Sequence, residues 1–220
     1  MNLPATPEPR PILALLAALG GWLHRRRRWG LLPLLFVGLF LNTHYLTVRR
    51  GNFMTVAGAI GILFGSLLRV VCYKFVGGRD PVYNIGAPLV TDGPYAITRN
   101  PVYLSEAAIA LGIAMMSRMP WFVLATLVAT VILAALIVEW EERTLYERYG
   151  ARYEEYCRIV PRWFSLHRFL HADSYTKTRG RVHLMDAVRA ESITLLVGLL
   201  AILAFLTKAD MEWLFWPFNP

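Results

Sequence analysis

The side chains best suited to chemistry lie in two short stretches, one on each side of a long apolar segment. The first stretch reads Arg99-Asn100-Pro101-Val102-Tyr103. Proline is favoured at the first position of a helix, where its missing amide donor costs nothing, so a helix is predicted to begin near Pro101. Backbone amides at a helix start point outward and attract anions. We therefore expect this helix start to suit a carboxylate carried by a ligand.

Glu106 lies one turn into the same predicted helix. An ionisable side chain inside an apolar segment indicates a functional role by default, because its burial is costly. As a base, this carboxylate would accept a proton from a substrate. Alternatively, it pairs with an arginine near the membrane surface, and the sequence favours the two interpretations equally.

The second stretch begins with the adjacent carboxylates of Glu141 and Glu142. Two neighbouring carboxylates repel each other unless a cation lies close by. Arg143 and Arg148 are the local candidates for that cation, and a bound cation is the alternative. The pair is therefore predicted either to form local ion pairs or to hold a positively charged ligand.

A stripe of aromatic side chains follows this carboxylate pair. Steps of four, three, four and three residues place five side chains on one face of a helix: Glu142, Tyr146, Tyr149, Tyr153 and Tyr156. Any one of these tyrosines either anchors the helix at headgroup level or lines a site. Gly150 is a weak point at which this helix is predicted to split in two.

The apolar content indicates which elements position these residues. Of the 220 residues, 56% are hydrophobic and 17% are charged, whereas soluble domains are about 45–50% apolar. A helix needs about 20 largely apolar residues to cross a bilayer. Five runs approach that length: 31–48, 53–71, 102–116, 121–138 and 192–206. The predicted fold is all-α, a polytopic membrane helix bundle with about five transmembrane helices.

The net charge of +8 is distributed as a topology signal. If residues 25–28 are cytoplasmic and each run crosses once, nearly all Lys and Arg lie on the cytoplasmic side. The exceptions are Arg49, Arg50, Arg118 and Lys208. This pattern favours an integral, multi-pass protein with its site on the cytoplasmic side, and it argues against nucleic acid as a partner. The sequence does not determine the oligomeric state.

The remaining segments are assigned around these spans. Residues 12–23 predict an amino-terminal helix at the interface or packed against the bundle, and residues 49–52 predict a tight turn between the first two spans. Gly58, Gly61 and Gly65 have the spacing that brings two helices into close contact. Amphipathic cytoplasmic helices follow Glu139. The segment that leads from them to Arg189 is expected to be polar and cytoplasmic.

Other polar residues are also candidates for a site. His44 lies inside the first predicted span, where it either packs against a neighbouring helix or assists proton transfer. Cys72 and Cys157 have neither disulfide nor metal-ligand spacing. His167 and His171 are four residues apart but lack a third ligand, so no metal site is predicted.

Several separated motifs resemble the isoprenylcysteine carboxyl methyltransferase and phospholipid methyltransferase superfamily of integral membrane enzymes. They match in order and spacing: Gly93-Pro94-Tyr95, Arg99-Asn100-Pro101-Val102-Tyr103, Glu141-Glu142, Tyr149-Gly150-Ala151-Arg152-Tyr153-Glu154-Glu155-Tyr156 and Val160-Pro161-Arg162. Asn100 replaces the histidine of the prenylcysteine enzymes and is similar to the Asn-Pro of phosphatidylethanolamine methyltransferases. Ser105 replaces a family glycine.

The resemblance implies that S-adenosylmethionine binds between the hairpin and the following helix, with a lipid substrate entering from the bilayer. The implied cofactor contacts are Tyr95, Asn100, Pro101, Tyr103, Glu141, Glu142, Leu145, Tyr149 and Tyr153. The implied catalytic residues are Arg99, Glu106 and Glu142, and the implied substrate contacts are His44, Glu106, Arg158 and Arg162. Such a cationic methyl donor requires three types of side chain: acidic ones, hydrogen-bond donors such as amides or arginine, and aromatic ones.

These expectations divide the chain into four regions. They are an amino-terminal interfacial segment (1–30), a transmembrane hairpin (31–76), a cofactor-binding catalytic core with a second hairpin (77–164), and a cytoplasmic segment with the last span (165–220). The expected activity is N-methylation of an amine phospholipid headgroup. The alternatives are carboxyl or thiol methylation of a prenylcysteine-like or other hydrophobic acceptor, an NADPH-dependent sterol or enone reductase, and a non-enzymatic membrane scaffold.

Overall fold

The apolar runs of the sequence form long helices in the computed structural model, which describes residues 19–23, 31–40, 48–78, 82, 86–171 and 180–215. These residues contain helices and no strand, which confirms the all-α prediction. The helices are α1 (Leu31–Phe40), α2 (Val48–Val76), α3 (Pro94–Ile97), α4 (Pro101–Met116), α5 (Pro120–Tyr149), α6 (Ala151–Ile159), α7 (Leu166–Leu170), α8 (Leu184–Ala190) and α9 (Ser192–Phe215).

Two helices in the described part of the chain are long and apolar enough to cross a membrane, namely α2 from Asn52 and the whole of α5. The pair formed by α8 and α9 is bent by 65° and passes the same criteria as one unit. In contrast, α1 has 10 residues and α4 has 16. At about 1.5 Å per residue, α4 is shorter than a bilayer core of about 30 Å. The helices fit an integral membrane protein, and the number of five spans stays a prediction.

The closest helix contact joins α2 to α4 through small residues. A Cβ atom built on Gly58 would lie 2.5 Å from the carbonyl oxygen of Gly112, and one built on Gly65 would lie 2.6 Å from that of Ser105. Real Cβ atoms do not approach a backbone oxygen so closely, so only glycine fits at these two positions. The predicted role of the glycine stripe in close packing is confirmed. Ser105 therefore lies in the contact between α2 and α4.

A charged cluster connects α2, α4 and the bend between α8 and α9. Arg69 is buried on α2, and its Nη1 lies 2.7 Å from Glu106 Oε1. Its Nε lies 2.6 Å from Oε2 of Glu191, the residue at the bend, which also accepts a hydrogen bond from Thr194 at 2.9 Å. A buried arginine without carboxylate partners would be strongly destabilising. The cluster therefore holds the bent helix pair against the core.

The segments before and between the first helices differ in part from the predictions. Residues 49–52, predicted as a turn, belong to the first turns of α2, because the helix already begins at Val48. Residues 19–23 are helical and pack against the bundle, since Gly20 and Gly21 lie against Trp140 of α5. Residues 12–18 lie outside the described residues, and so do 25–28 and His44.

Candidate active site

The start of α4 and the segment after α6 lie side by side. The backbone amide of Arg99 donates to the carbonyl oxygen of Pro161 at 3.0 Å. The carbonyl oxygen of Arg162 accepts from Asn100 Nδ2 at 3.0 Å and from the hydroxyl of Thr98 at 3.2 Å. These bonds join residues about sixty positions apart in the sequence. They fix the Arg-Asn-Pro stretch against the Val-Pro-Arg stretch.

The carboxylate pair at the end of the hairpin faces the same helix start. Asn100 Nδ2 lies 3.3 Å from Glu142 Oε1, and the phenol of Tyr103 donates to Glu141. Asn100 precedes the first residue of α4 but makes no side-chain cap to its amides, because the amide group reaches across to Glu142 and Arg162. The two polar stretches thus meet, as the hairpin predicts.

The cations beside Glu142 are not the ones that the sequence suggested. Arg99 Nη1 lies 3.5 Å from Glu142 Oε1, and Arg162 Nη2 lies 3.2 Å from Glu142 Oε2. Arg143 pairs instead with Glu139 at 3.0 Å, one helical turn away. Arg143 was therefore the wrong partner for Glu142, because in a helix side chains four residues apart are neighbours whereas adjacent ones diverge.

Arg162 links two carboxylates of α5. Its Nη2 lies 2.8 Å from Glu139 Oε2 as well as 3.2 Å from Glu142. Burial acts to lower the pKa of Arg162, but the hydrogen bond that its guanidinium donates to Glu139 and the charge of Glu142 outweigh burial and raise that pKa above its usual value. The guanidinium is therefore a permanent cation between the two carboxylates.

A pocket of about 330 Å³ opens beside these ion pairs. Acidic, basic, aromatic and thiol side chains line it: Glu139, Glu142, Arg143, Tyr146, Glu147, Tyr153 and Cys157. Arg99 contacts its wall, since Nη1 donates to Cys157 Sγ at 2.6 Å. The pocket volume lies at the small end of the range of about 300–1,000 Å³ for ligand sites.

The tyrosine stripe divides at Gly150. This residue has φ +53°, a left-handed value that favours glycine, and α5 ends before it while α6 begins after it. The predicted split is confirmed. Tyr153 then lines the pocket, whereas Tyr149 and Tyr156 donate to the carbonyl oxygens of Ala87 at 2.5 Å and Tyr95 at 2.7 Å. The latter two tyrosines thus fasten the loop before α4 to α5 and α6.

The buried tyrosines are neutral donors at neutral pH. Burial is the main cause that raises the pKa of Tyr153 above its usual range, and the charge of Glu142 raises it further. Burial likewise raises the pKa of Tyr156. Phenolate forms are therefore disfavoured next to the carboxylates, and both hydroxyls can donate hydrogen bonds.

Other predicted site residues lie in different surroundings. Glu106 is bound to Arg69 and does not line the pocket. Arg158 is exposed and pairs with Glu154 at 2.5 Å. Leu145 packs beside Tyr153 and Tyr156 in an apolar cluster, and Pro101 is fully buried. The structure therefore gathers Arg99, Asn100, Tyr103, Glu141, Glu142, Tyr153 and Arg162 at one place and leaves Glu106 and Arg158 elsewhere.

Five pocket residues were not predicted as site residues: Glu139, Arg143, Tyr146, Glu147 and Cys157. A signal for two of them was present in the sequence. Tyr146 lies four residues after Glu142, and Cys157 lies four residues after Tyr153, so each shares a helix face with a predicted residue. Among the described residues there is no group of three or more His, Cys, Asp or Glu that could hold a metal ion.

Comparison with known proteins gives one family and one curated relative. Residues 53–152 match the family described as phospholipid methyltransferase. The cobalt-zinc-cadmium resistance protein CzcN of Cupriavidus metallidurans is 26% identical over 107 residues, which cover 49% of this chain and 47% of that protein. The match thus spans about half the length of the relative. No solved structure matches the chain.

Proposed function

Because residues 53–152 match the phospholipid methyltransferase family, we propose that this protein is an integral membrane methyltransferase. It uses S-adenosylmethionine and methylates the amine headgroup of a phospholipid. The observation that carries this proposal is the contact between Asn100 and Glu142, at 3.3 Å. This contact brings the start of α4 and the carboxylate end of α5 together beside one pocket.

The residues present fit S-adenosylmethionine. It is a cation with a carboxylate and an adenine ring, so it requires acidic, donor and aromatic groups together. Glu139 and Glu142 supply negative charge, and Tyr146 and Tyr153 supply aromatic surface. Arg99 and Arg162 each keep a buried Nε that has no hydrogen-bond partner among the described residues.

Those two arginines are the donors that we assign to a ligand carboxylate. Buried polar atoms are normally hydrogen-bonded, and an unpaired donor is costly. The two guanidinium groups contact different oxygens of Glu142, so a ligand that accepted from both arginines would lie beside this carboxylate. Ligand binding should therefore stabilise the fold in two ways, by filling the pocket and by supplying acceptors for these two Nε donors.

S-adenosylmethionine, when bound, supplies an electrophilic methyl group. A lipid amine is protonated at neutral pH and must lose that proton before it is nucleophilic. We assign proton acceptance to Glu142, because it lines the pocket whereas Glu106 does not. Arg99, Asn100 and Arg162 orient its carboxylate. Positioning of this kind accounts for much of the rate in displacement reactions.

Cofactor binding can be tested without measuring turnover. Purified protein in nanodiscs is titrated with S-adenosylmethionine and, separately, with NADPH, while alkylation of Cys157 by a maleimide is followed. Cys157 lines the pocket, whereas Cys72 is buried on α2 and serves as the internal reference. We expect S-adenosylmethionine to protect Cys157 and NADPH to have no effect. Protection by NADPH alone would support the reductase, and protection by neither would support a scaffold.

The acceptor is identified in a separate experiment. Lipids from cells with and without the protein are compared by mass spectrometry, and the purified enzyme is given vesicles of phosphatidylethanolamine with labelled S-adenosylmethionine. A ladder of added methyl groups on the phospholipid is expected. Label on an added prenylcysteine methyl acceptor, with none on the phospholipid, would move the activity to carboxyl methylation.

A further inference from the structure

The segment that follows the Val-Pro-Arg motif exposes several large apolar side chains. Between 38% and 68% of each of five large side chains is exposed: Trp163, Phe164, Leu166, Phe169 and Leu170. The rings of Phe164 and Phe169 pack on each other with centroids 5.7 Å apart, so they form one patch. We call these five side chains the 163–170 surface. The expectation that this part of the chain is polar is wrong.

Hydrogen bonds determine the position of this surface relative to the apolar layer of the membrane. Its neighbour Arg162 is bonded through its carbonyl oxygen to Asn100, which precedes α4, and through its guanidinium to Glu139. Glu139 is the first charged residue after the apolar part of α5. Both contacts lie where a helix of the membrane hairpin passes from apolar to polar sequence. Trp163 follows directly, so the 163–170 surface begins at the edge of the apolar layer.

The short helix within this surface is held in place by polar contacts. Arg168 donates to the carbonyl oxygen of Ala96 in α3, and Ser165 caps the helix by accepting from the Arg168 amide at 3.5 Å. The helix is therefore attached to the loop before α4, while its large apolar side chains remain exposed. They do not pack into the core, as their exposure shows.

The charges around the surface are those of a segment that contacts anionic lipid. Residues 156–171 contain Arg158, Arg162 and Arg168 and no Asp or Glu. Arg158 and Arg162 pair with carboxylates of α6 and α5, whereas Arg168 lies within the surface itself and donates to a backbone carbonyl. Basic residues next to exposed Trp, Phe and Leu are typical of elements that lie in the headgroup region, about 5–10 Å into the boundary with the acyl chains. Tryptophan itself is favoured at that depth.

We propose that the 163–170 surface is an interfacial membrane anchor, inserted among the anionic phospholipids of the leaflet beside the candidate site. The 163–170 surface contacts lipid of the same bilayer that the hairpin crosses, because the hydrogen bonds of Arg162 place this surface at the edge of that bilayer. The anchor holds the Val-Pro-Arg segment, and with it the Arg162 wall of the site, at the surface where a lipid headgroup is presented.

Photocrosslinking tests the anchor directly. The photoreactive amino acid p-benzoylphenylalanine replaces Phe164 or Leu170, one at a time, in the full chain in nanodiscs of phosphatidylethanolamine and phosphatidylglycerol. Ile193, which is 71% exposed on α9, is the lipid-facing control position. Glu155, which is exposed on α6, is the water-facing control position. Mass spectrometry of the illuminated protein counts lipid adducts.

We expect lipid adducts at positions 164 and 170 in amounts close to those at 193 and severalfold above those at 155. Amounts equal to those at 155, with normal labelling at 193, would overturn the anchor. Adducts to a second copy of the chain in place of lipid would also overturn it. Either result would leave the methyltransferase proposal untouched, because the readout does not involve activity.

A native residue provides a second measurement in case those variants fold poorly. The emission of Trp163 is obtained as the difference between the wild type and Trp163→Phe. Lipids brominated near the headgroup should quench this emission severalfold more than iodide in the buffer does. Quenching by iodide alone would contradict insertion, whatever the result of crosslinking.

Discussion

At the scale of single residues, the candidate site depends on where each carboxylate is held. Glu141 accepts from Tyr103, and Glu142 lies between Arg99, Asn100 and Arg162. Glu139 is shared by Arg143 and Arg162. Glu139, Glu141 and Glu142 thus have different sets of partners, with Arg162 common to Glu139 and Glu142. This difference allows their roles to be separated by substitution.

Glu142→Gln should abolish most of the activity. The amide has nearly the same shape, but it cannot take a proton. It also keeps a single acceptor oxygen, so it can accept from Arg99 and Asn100 or from Arg162, but not from both sides. Loss of a positioned base costs about 10²–10⁴-fold in turnover. Initial rates with saturating S-adenosylmethionine, together with thermal unfolding of the variant, check this. A variant that is stable and fully active would remove Glu142 from proton transfer.

Glu106→Gln should act on stability instead. Arg69 would lose one of its two carboxylates but keep Glu191, so the penalty is at most the lower end of the about 3–5 kcal/mol for breaking a buried pair. The expected result is a lower unfolding temperature with turnover reduced less than in Glu142→Gln. If turnover instead fell as far as in Glu142→Gln while the unfolding temperature was unchanged, the proton acceptor would be Glu106.

At the scale of elements, the contact between α2 and α4 positions the start of α4. The two backbones approach closely because Gly58 faces Gly112 and Gly65 faces Ser105. Any side chain that separated them would tilt α4. Asn100 and Tyr103, which contact Glu142 and Glu141, belong to the beginning of that helix. Helix packing in the membrane and geometry at the site are therefore connected.

Gly58→Ala should destabilise the protein more than Gly61→Ala does. The new Cβ would lie 2.5 Å from a carbonyl oxygen at position 58 but 3.2 Å from one at position 61. Overpacking of this kind costs about 1–3 kcal/mol. Both glycines lie in α2, so alanine brings the same gain in helix propensity at each position. This gain therefore does not contribute to the difference in stability between the two variants. Thermal unfolding in one detergent measures the difference, and equal stabilities would show that α2 and α4 are not packed this closely.

At the scale of the whole molecule, the side of the membrane on which the pocket opens follows from charge. Most Lys and Arg residues lie on the side of the pocket if five runs each cross once, and such residues are retained in the cytoplasm. This sidedness is a prediction from the sequence.

Thiol labelling tests on which side of the membrane the pocket opens. A membrane-impermeant maleimide should label Cys157 in inside-out vesicles and not in sealed right-side-out vesicles, because Cys157 lines the pocket. Cys157→Ser gives the background from Cys72. Labelling from the outer side would place the pocket on the opposite face. That result would require either an inverted orientation of the whole bundle or an odd number of spans before the pocket, where four are predicted.

Much of the architecture could be predicted because it depends on local pattern. Composition determines that the chain is a membrane helix bundle, glycine spacing determines that α2 packs closely, and Gly150 marks the break between α5 and α6. The hairpin between the polar stretches also predicts that they meet. These features follow from periodicity and backbone freedom, which each short segment carries by itself.

Only the tertiary structure decided which partner each polar side chain has. Glu142 pairs with Arg99 and Arg162, which lie far from it in sequence, while the nearby Arg143 turns to Glu139. Glu106 of α4 forms an ion pair with Arg69 of α2. The choice of partner depends on helix rotation and on the path of the chain after α6, and a difference of one residue in either would redirect these side chains.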